Sequence, residues 1–485
     1  MTLDRNTLIV SSSLLVLLAS CGALNALQPG TPEPTRTWLA GDSHIHSQYS
    51  PSYDTKTNPT DPNPPYKIAG DAIYPITTNA AKARQYGLSW MVATDHGGPN
   101  HSKINMNLAY PELQQARTQV PEVLTFVGME LNLAAMDHHT LMIPKGQNES
   151  KTLFDIESQW DANEVYPVDA SRSTEDKALQ TINYIKALDQ KPILMANHPS
   201  RSAAEAGQYG LDTPQELRSN NDAAPNVYVG FEGAPGHQAA ALKPDGSLKP
   251  EGGRGGYNKA TTFGGFDPMT AQLGGLWDSM LGEGRRFWIV ATSDSHVNFR
   301  DGGSDFWPGE YQKTYVKAEK TYEDILDGLR SGRTFVTSGD LISELDVTAQ
   351  AGSTSAQTGG TLKLGGPKDV LVTVCLRDPA QANFHGDTPS VERLDLIVGQ
   401  VTGAVQNRDS DKNPSTRVEQ RFAPTAFKRE GEVITLTYTL KNVSTNSYLR
   451  VRGTNTDQLE PVADPKGENP WSDLWFYSNP IFLEQ

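Results

Sequence analysis

From Trp38 to about Gly339, short apolar runs alternate with stretches of helical period. Seven runs have the length and composition of strands: Trp38–His46, Ser89–Asp95, Val123–Glu130, Thr140–Pro144, Pro192–His198, Val227–Glu232 and Phe287–His296. Between them Thr77–Tyr86, Glu112–Gln119, Thr174–Leu188, Met269–Leu281 and Tyr322–Ser331 read as helices. This alternation predicts an α/β layout with parallel strands. After Arg333–Gly339 the helical period stops. From Leu341 on, β-rich runs such as Val370–Val374, Leu394–Val398, Val433–Leu440 and Tyr448–Arg452 are divided by turn residues. That spacing predicts a β-sandwich over 341–485, with Thr354–Gly360 as a loop and Trp471, Trp475 and Tyr477 docking it on the α/β domain of 38–340.

Composition narrows the picture. A chain of 485 residues suits two domains, and its 8 Trp and 17 Tyr suit a packed core. A formal net charge of −15 argues against general nucleic-acid binding, which needs a basic stripe. Residues 1–20 read as a secretory signal, with Arg5 before an apolar run from Leu8 to Ala19 that is too short to span a membrane comfortably. Leu18-Ala19-Ser20-Cys21 resembles a bacterial lipobox. That resemblance implies an exported lipoprotein of the cell envelope, held to a membrane by lipid on Cys21, with 21–37 as a polar tether. Cys375 reads as a small buried hydrophobe in a strand.

Candidate chemistry collects at the strand ends. The first run ends in His44 and His46, which share one face of a strand at i and i+2. The second ends Thr94-Asp95-His96, the third Gly128-Met129-Glu130, the fifth Asn197-His198-Pro199, the sixth Phe231-Glu232 and the seventh Ser293-Asp294-Ser295-His296. The fourth begins at His138-His139. Nine of the ten histidines lie in this half of the chain, far more ordered than core filler would be.

The series HxH, TDH, GxE, H, NHP and SDSH resembles the PHP superfamily, the polymerase-and-histidinol-phosphatase metallohydrolases, over roughly Gly41 to Ser338; the β-rich tail resembles its carbaryl-hydrolase branch. The resemblance implies a distorted seven-stranded α/β barrel with two or three metals on one face. By motif, His44, His46 and Asp294 would hold a first metal, Glu130 would bridge to a second held by His139 and His198, and His96 and His296 would serve a third. His139 is preferred to His138 because the family's histidine directly precedes the strand. Imidazole and carboxylate donors suit zinc, manganese or iron, and paired ions lower the pKa of a bridging water to give a hydroxide. Asp42 and Asp95 would orient imidazoles from behind, or simply cap turns.

Long insertions at 51–75, 97–108 and 233–267 follow strands and are expected over the same face. From them, His101 and His237, together with Arg201 after His198, are the candidates for substrate contact or leaving-group protonation, and the Gly-rich loop carrying Arg254 is expected to meet an anionic substrate. The reading is a membrane-tethered metal-dependent hydrolase of a small-molecule substrate. Phosphoesters come first, carboxyl or carbamate esters second, and a non-catalytic metal- or ligand-binding surface protein is the remaining alternative.

Overall fold

All seven apolar runs become strands in the computed structural model, which describes residues 35–485 apart from 206 and 258. The signal, Cys21 and most of the tether lie outside the described residues. The strands are β1 (Thr37–Ile45), β2 (Trp90–Ala93), β3 (Leu124–Asn132), β4 (His138–Met142), β5 (Ile193–Ala196), β6 (Tyr228–Ala234) and β7 (Trp288–Ala291). Every residue of β2, β5 and β7 is buried, as expected of apolar runs covered on both faces.

These strands lie side by side from β1 to β7 in one large mixed sheet. β1, β2 and β3 are mutually parallel, as are β5, β6 and β7, but β4 runs antiparallel to both neighbours. The beginning of β4 therefore meets the ends of the other six. Past β7 the backbone returns to β1, with His46 N donating to Ser295 O at 3.1 Å and Asp294 N to His44 O at 2.9 Å.

Helices α1 (Ile76–Gln85), α2 (Tyr110–Gln119), α3 (Glu149–Trp160), α4 (Glu175–Ala187), α5 (Pro214–Ala223), α6 (Leu276–Gly282) and α7 (Tyr322–Ser331) pack around these strands. The helix expected over Met269–Leu281 breaks in two, because Gly274 takes a left-handed φ of 70° before α6. Among the described residues no helix is long and apolar enough to cross a membrane.

The large sheet does not stop at the boundary expected near 340. β8 (Gln312–Ala318) pairs with β1, and β9 (Thr334–Ser338) pairs with β8. Beyond residue 340 come β10 (Glu344–Ala351), β11 (Thr354–Gln357), β12 (Thr361–Lys363), β13 (Lys368–Arg377), β14 (Arg393–Gln400), β15 (Arg417–Phe422), β16 (Lys428–Glu430), β17 (Val433–Val443), β18 (Ser447–Thr454), β19 (Trp475–Ser478) and β20 (Ile481–Glu484). β19 pairs with β9, and β18, β20, β12, β14 and β15 continue the same sheet outward. The order β11-β10-β13-β17-β16 forms a separate antiparallel sheet. In β10 buried and less buried residues alternate, which puts Leu345, Val347 and Ala349 on a face that joins the common core. Thr354–Gln357, expected as loop, is the edge strand β11, hairpinned on β10.

Candidate metal centre

Glu130 stands at the middle of the convergent ends and is fully buried. Its two oxygens face different histidines. Oε1 lies 3.1 Å from His198 Nε2, 3.2 Å from His44 Nε2 and 3.3 Å from His138 Nδ1. Oε2 lies 2.7 Å from His96 Nδ1 and 3.4 Å from His46 Nε2. Burial alone would raise this carboxyl, but His138, His44 and His96 hold it well below the usual range.

Asp294, after β7, is the second hub. Oδ1 sits 3.2 Å from His46 Nε2 and 3.4 Å from both His44 Nε2 and His296 Nδ1. Oδ2 accepts from Arg201 Nη1 at 2.8 Å and lies 3.2 Å from His237 Nε2. His237 is braced from behind by Asp305 through Nδ1. His198, His237 and Asp294 all have positive φ, at 31°, 55° and 47°. Non-glycine residues rarely accept that conformation, and here it turns three side chains inward at one place.

The imidazoles of β1 are held from their far sides. His44 Nδ1 donates to Glu232 Oε1 at 2.6 Å, and His46 Nδ1 donates to Ser50 Oγ at 3.1 Å. The two Nε2 atoms face each other at 2.8 Å, and although burial works against a charged His44, Glu130, Asp294 and Glu232 raise its imidazole well above the usual value. Glu232 is itself fixed by Thr292 Oγ1 at 2.8 Å and by His198 N at 2.7 Å. Asp42 and Asp95 behave differently from Glu232. Asp42 accepts the amides of His44 and Ser293, and Asp95 accepts the amide and hydroxyl of Ser47, so both secure backbone rather than imidazole.

The donor atoms fit divalent cations. Glu130 Oε2 and Asp294 Oδ1 are buried without a well-aligned hydrogen bond among the described residues, and the nearest groups to them are imidazole nitrogens, His96 Nδ1 at 2.7 Å from Oε2 and His46 Nε2 at 3.2 Å from Oδ1. Carboxylates and imidazoles crowded together away from water need balancing positive charge, which protons on the imidazoles or bound divalent cations supply. Ligand atoms come within 4.8 Å of one another in the sets His44–His46–Glu130, His96–Glu130–His138 and His46–Asp71–His96–His296.

Three expectations change. His139 turns away from the cluster: Nδ1 bonds Asp137 O and Nε2 bonds Tyr228 OH, each at 2.9 Å, and burial pushes the ring down to about 4. His138 takes the place beside Glu130 instead, because adjacent residues of a strand face opposite sides. His101 is fully buried between Glu157 (2.7 Å) and Tyr49 O (2.9 Å), so it anchors the loop and cannot meet substrate. Arg254 is likewise buried, bound to Asp473 Oδ1 at 2.6 Å and to Tyr311 OH at 2.8 Å, so the loop of 233–267 is pinned rather than free.

His44, His46, His96, Glu130, His198, Asp294 and His296 are brought together, and Arg201 reaches them through Asp294. Two carboxylates join them without having been singled out. Glu232 was visible only as an acid at a strand end. Asp71 comes from the insertion of 51–75, accepts from Ser50 Oγ at 2.9 Å and lies 3.4 Å from His296 Nε2 and 3.7 Å from His96 Nε2. No local motif marks it.

No family model matches the sequence, and no curated protein matches it. Among solved structures the chain is similar to an Endonuclease Q complex with a 27-mer duplex substrate carrying an abasic lesion at the active site. The identity is 12% and the TM-score 0.32, over 61% of this chain and 56% of that one. The chain thus spans little more than half the length of that structure.

Proposed function

We propose that this protein is a metal-dependent hydrolase of small phosphoesters, built on a distorted α/β barrel of the PHP type. The observation that carries the reading is the double-facing Glu130, whose buried oxygens each address a separate set of histidines. Such a carboxylate suits two ions that share it. His44, His46 and Asp294 would hold one ion, His138 and His198 a second, and Asp71, His96 and His296 a third. Zinc, manganese or iron bound there would supply Lewis-acid charge and a water of lowered pKa.

The chain's own residues do the rest. Arg201 is fixed through Nη1 to Asp294 and through Nε to Gly255 O at 3.2 Å, which leaves the buried Nη2 as a donor for an anionic substrate oxygen. His237, braced by Asp305, faces the same side of Asp294. A guanidinium poised for an oxyanion favours phosphoryl substrates over carbamates. The net charge of −15 disfavours duplex nucleic acid as substrate. The lipobox-like segment adds export and tethering through Cys21; Cys21→Ser would then release the protein from membranes, and unchanged retention would refute the tether.

The deciding experiment strips the mature protein of metal, reloads it with manganese or zinc, and assays an aryl phosphate monoester, a phosphodiester, a carboxyl ester and a carbamate. Metal-dependent phosphoester turnover that Glu130→Gln abolishes supports the proposal. Preference for either carbonyl ester would overturn the substrate class, and absence of turnover under every metal would overturn the enzyme.

A further inference from the structure

The long loop after β6 leaves the sheet at Ala234 and returns at Asp267, whose N donates to Gly233 O at 2.9 Å and closes the base. The side chain of Asp267 is fully buried, and each of its oxygens takes two donors. Oδ1 accepts Ser200 Oγ at 2.9 Å and Met269 N at 2.7 Å. Oδ2 accepts Ser200 N at 3.1 Å and the hydroxyl of Tyr257. The bond from Met269 caps the helical turn Pro268–Ala271, and a local role would need no more than that. The other three bonds run to two separate stretches of chain, the turn after β5 and the middle of the long loop. Both stretches reach the candidate site.

The turn after β5 carries His198 and Arg201. It is closed by Arg201 N, which donates to His198 O at 2.8 Å, and it holds His198 at a φ of 31°. Such backbone persists in a non-glycine residue only where its neighbours over-determine it. Glu232 fixes the start of the turn through His198 N at 2.7 Å, and Asp267 fixes the middle through both the amide and the hydroxyl of Ser200. Two bonds from one residue to one carboxylate set orientation as well as distance.

On the loop side Tyr257 is 4% exposed, and burial together with Asp267 raises its phenol well above the usual value, so it stays a donor. Just ahead of it Gly255 and Gly256 take left-handed φ of 74° and 67°. Gly255 O accepts Arg201 Nε at 3.2 Å. Gly256 lies against the His237 ring, where a Cβ would stand 2.9 Å from Cδ2. One carboxylate therefore holds both the turn that bears Arg201 and the loop whose carbonyl receives it.

We infer that Asp267 is a positioning residue for phosphoryl recognition: it fixes the Ser200–Arg201 turn and the Gly255 carbonyl in one relation, so that Arg201 Nη2 is held ready for a substrate oxygen. The inference rests on the phosphoester reading above and adds a residue whose own side-chain partners are Ser200, Tyr257 and Met269.

The test is calorimetric titration of the metal-loaded full chain with inorganic phosphate, beside metal analysis of each variant. Asp267→Asn should weaken phosphate at least about tenfold with metal content unchanged. In an Arg201→Ala background, where the metals alone hold the phosphate, the same Asp267→Asn change should alter the affinity less than about twofold. A merely structural role would give the same loss in both backgrounds, and that result, or equal affinity in the wild type and Asp267→Asn, would overturn the inference. Should Asp267→Asn fail to fold, Ser200→Ala, which removes one hydroxyl, decides in its place: a loss that vanishes without Arg201 supports the inference, and no loss rejects it. A metal-loaded wild type that binds no phosphate would overturn the phosphoester reading itself, and this inference with it.

Discussion

Glu232 and Glu130 are both strand-end glutamates, yet they face opposite ways. Glu130 looks into the cluster, while Glu232 grips His44 Nδ1 from behind at 2.6 Å. Carboxylates in the second position orient a ligand and raise its basicity, and their loss costs roughly 10- to 100-fold in metal affinity. Glu232→Gln should therefore weaken metal binding by about that factor without unfolding the protein, as read by competition with a chromogenic chelator. At β4 the two neighbouring histidines separate cleanly. His138→Ala should lower metal content, whereas His139→Ala should leave the content near normal and lower the melting temperature, since His139 bonds only Tyr228 and Asp137 O. Metal analysis beside a melt of each variant would reject the assignment if the two effects were exchanged. The motif order in the chain located both histidines but not their facing. Strand alternation separates the two faces only when one of them is wet, and here His139 to Met142 are all buried.

At the scale of elements, the strands were the legible part. β2, β5 and β7 are apolar runs bounded by turn residues, and they lie where those runs predict. Helix α3 and the turn that begins at His101 were not legible, because their apolar positions are few and tertiary contacts set them. The His101–Glu157 pair fastens that turn to α3. Burial works against a charged His101, yet Glu157 prevails and raises it to about 9 from the usual 6.5. The folded protein thus holds a proton that the unfolded chain releases. The pair's stabilisation is complete below about pH 6.5 and is lost as pH rises through about 9. Urea unfolding across that window should show stability falling more steeply in the wild type than in His101→Gln. Parallel slopes would contradict the pairing.

The whole molecule is less divisible than its sequence. The change from helical to β period near residue 340 reads as a domain border, and nothing in local periodicity reports that β9 pairs with β19 across more than a hundred residues. All five residues of β9 are buried. The C-terminal chain also pins the loop beside the candidate site. Asp464 accepts Gly264 N at 2.6 Å and Gly265 N at 2.9 Å, and Arg254, next to the Gly255 that anchors Arg201, is held by Asp473. A fragment of residues 38–340 should accordingly aggregate on expression, because an apolar strand edge lies bare. A soluble, cooperatively melting fragment would show that the α/β part stands alone.

The β9–β19 pairing also sets an order of events during synthesis. A ribosome that has delivered residue 340 has made every histidine of the cluster, from His44 to His296, and all seven strands that carry them. It has not yet made residues 475–478, which cover β9, nor Asp464 and Asp473, which pin the loop beside Arg201. The nascent chain therefore carries every histidine of the cluster through more than a hundred further codons before the loop beside Arg201 can be pinned. On the proposed metal-dependent reading, capture of metal by that half-built cluster, on either side of export, is a hazard that the order of the chain itself imposes.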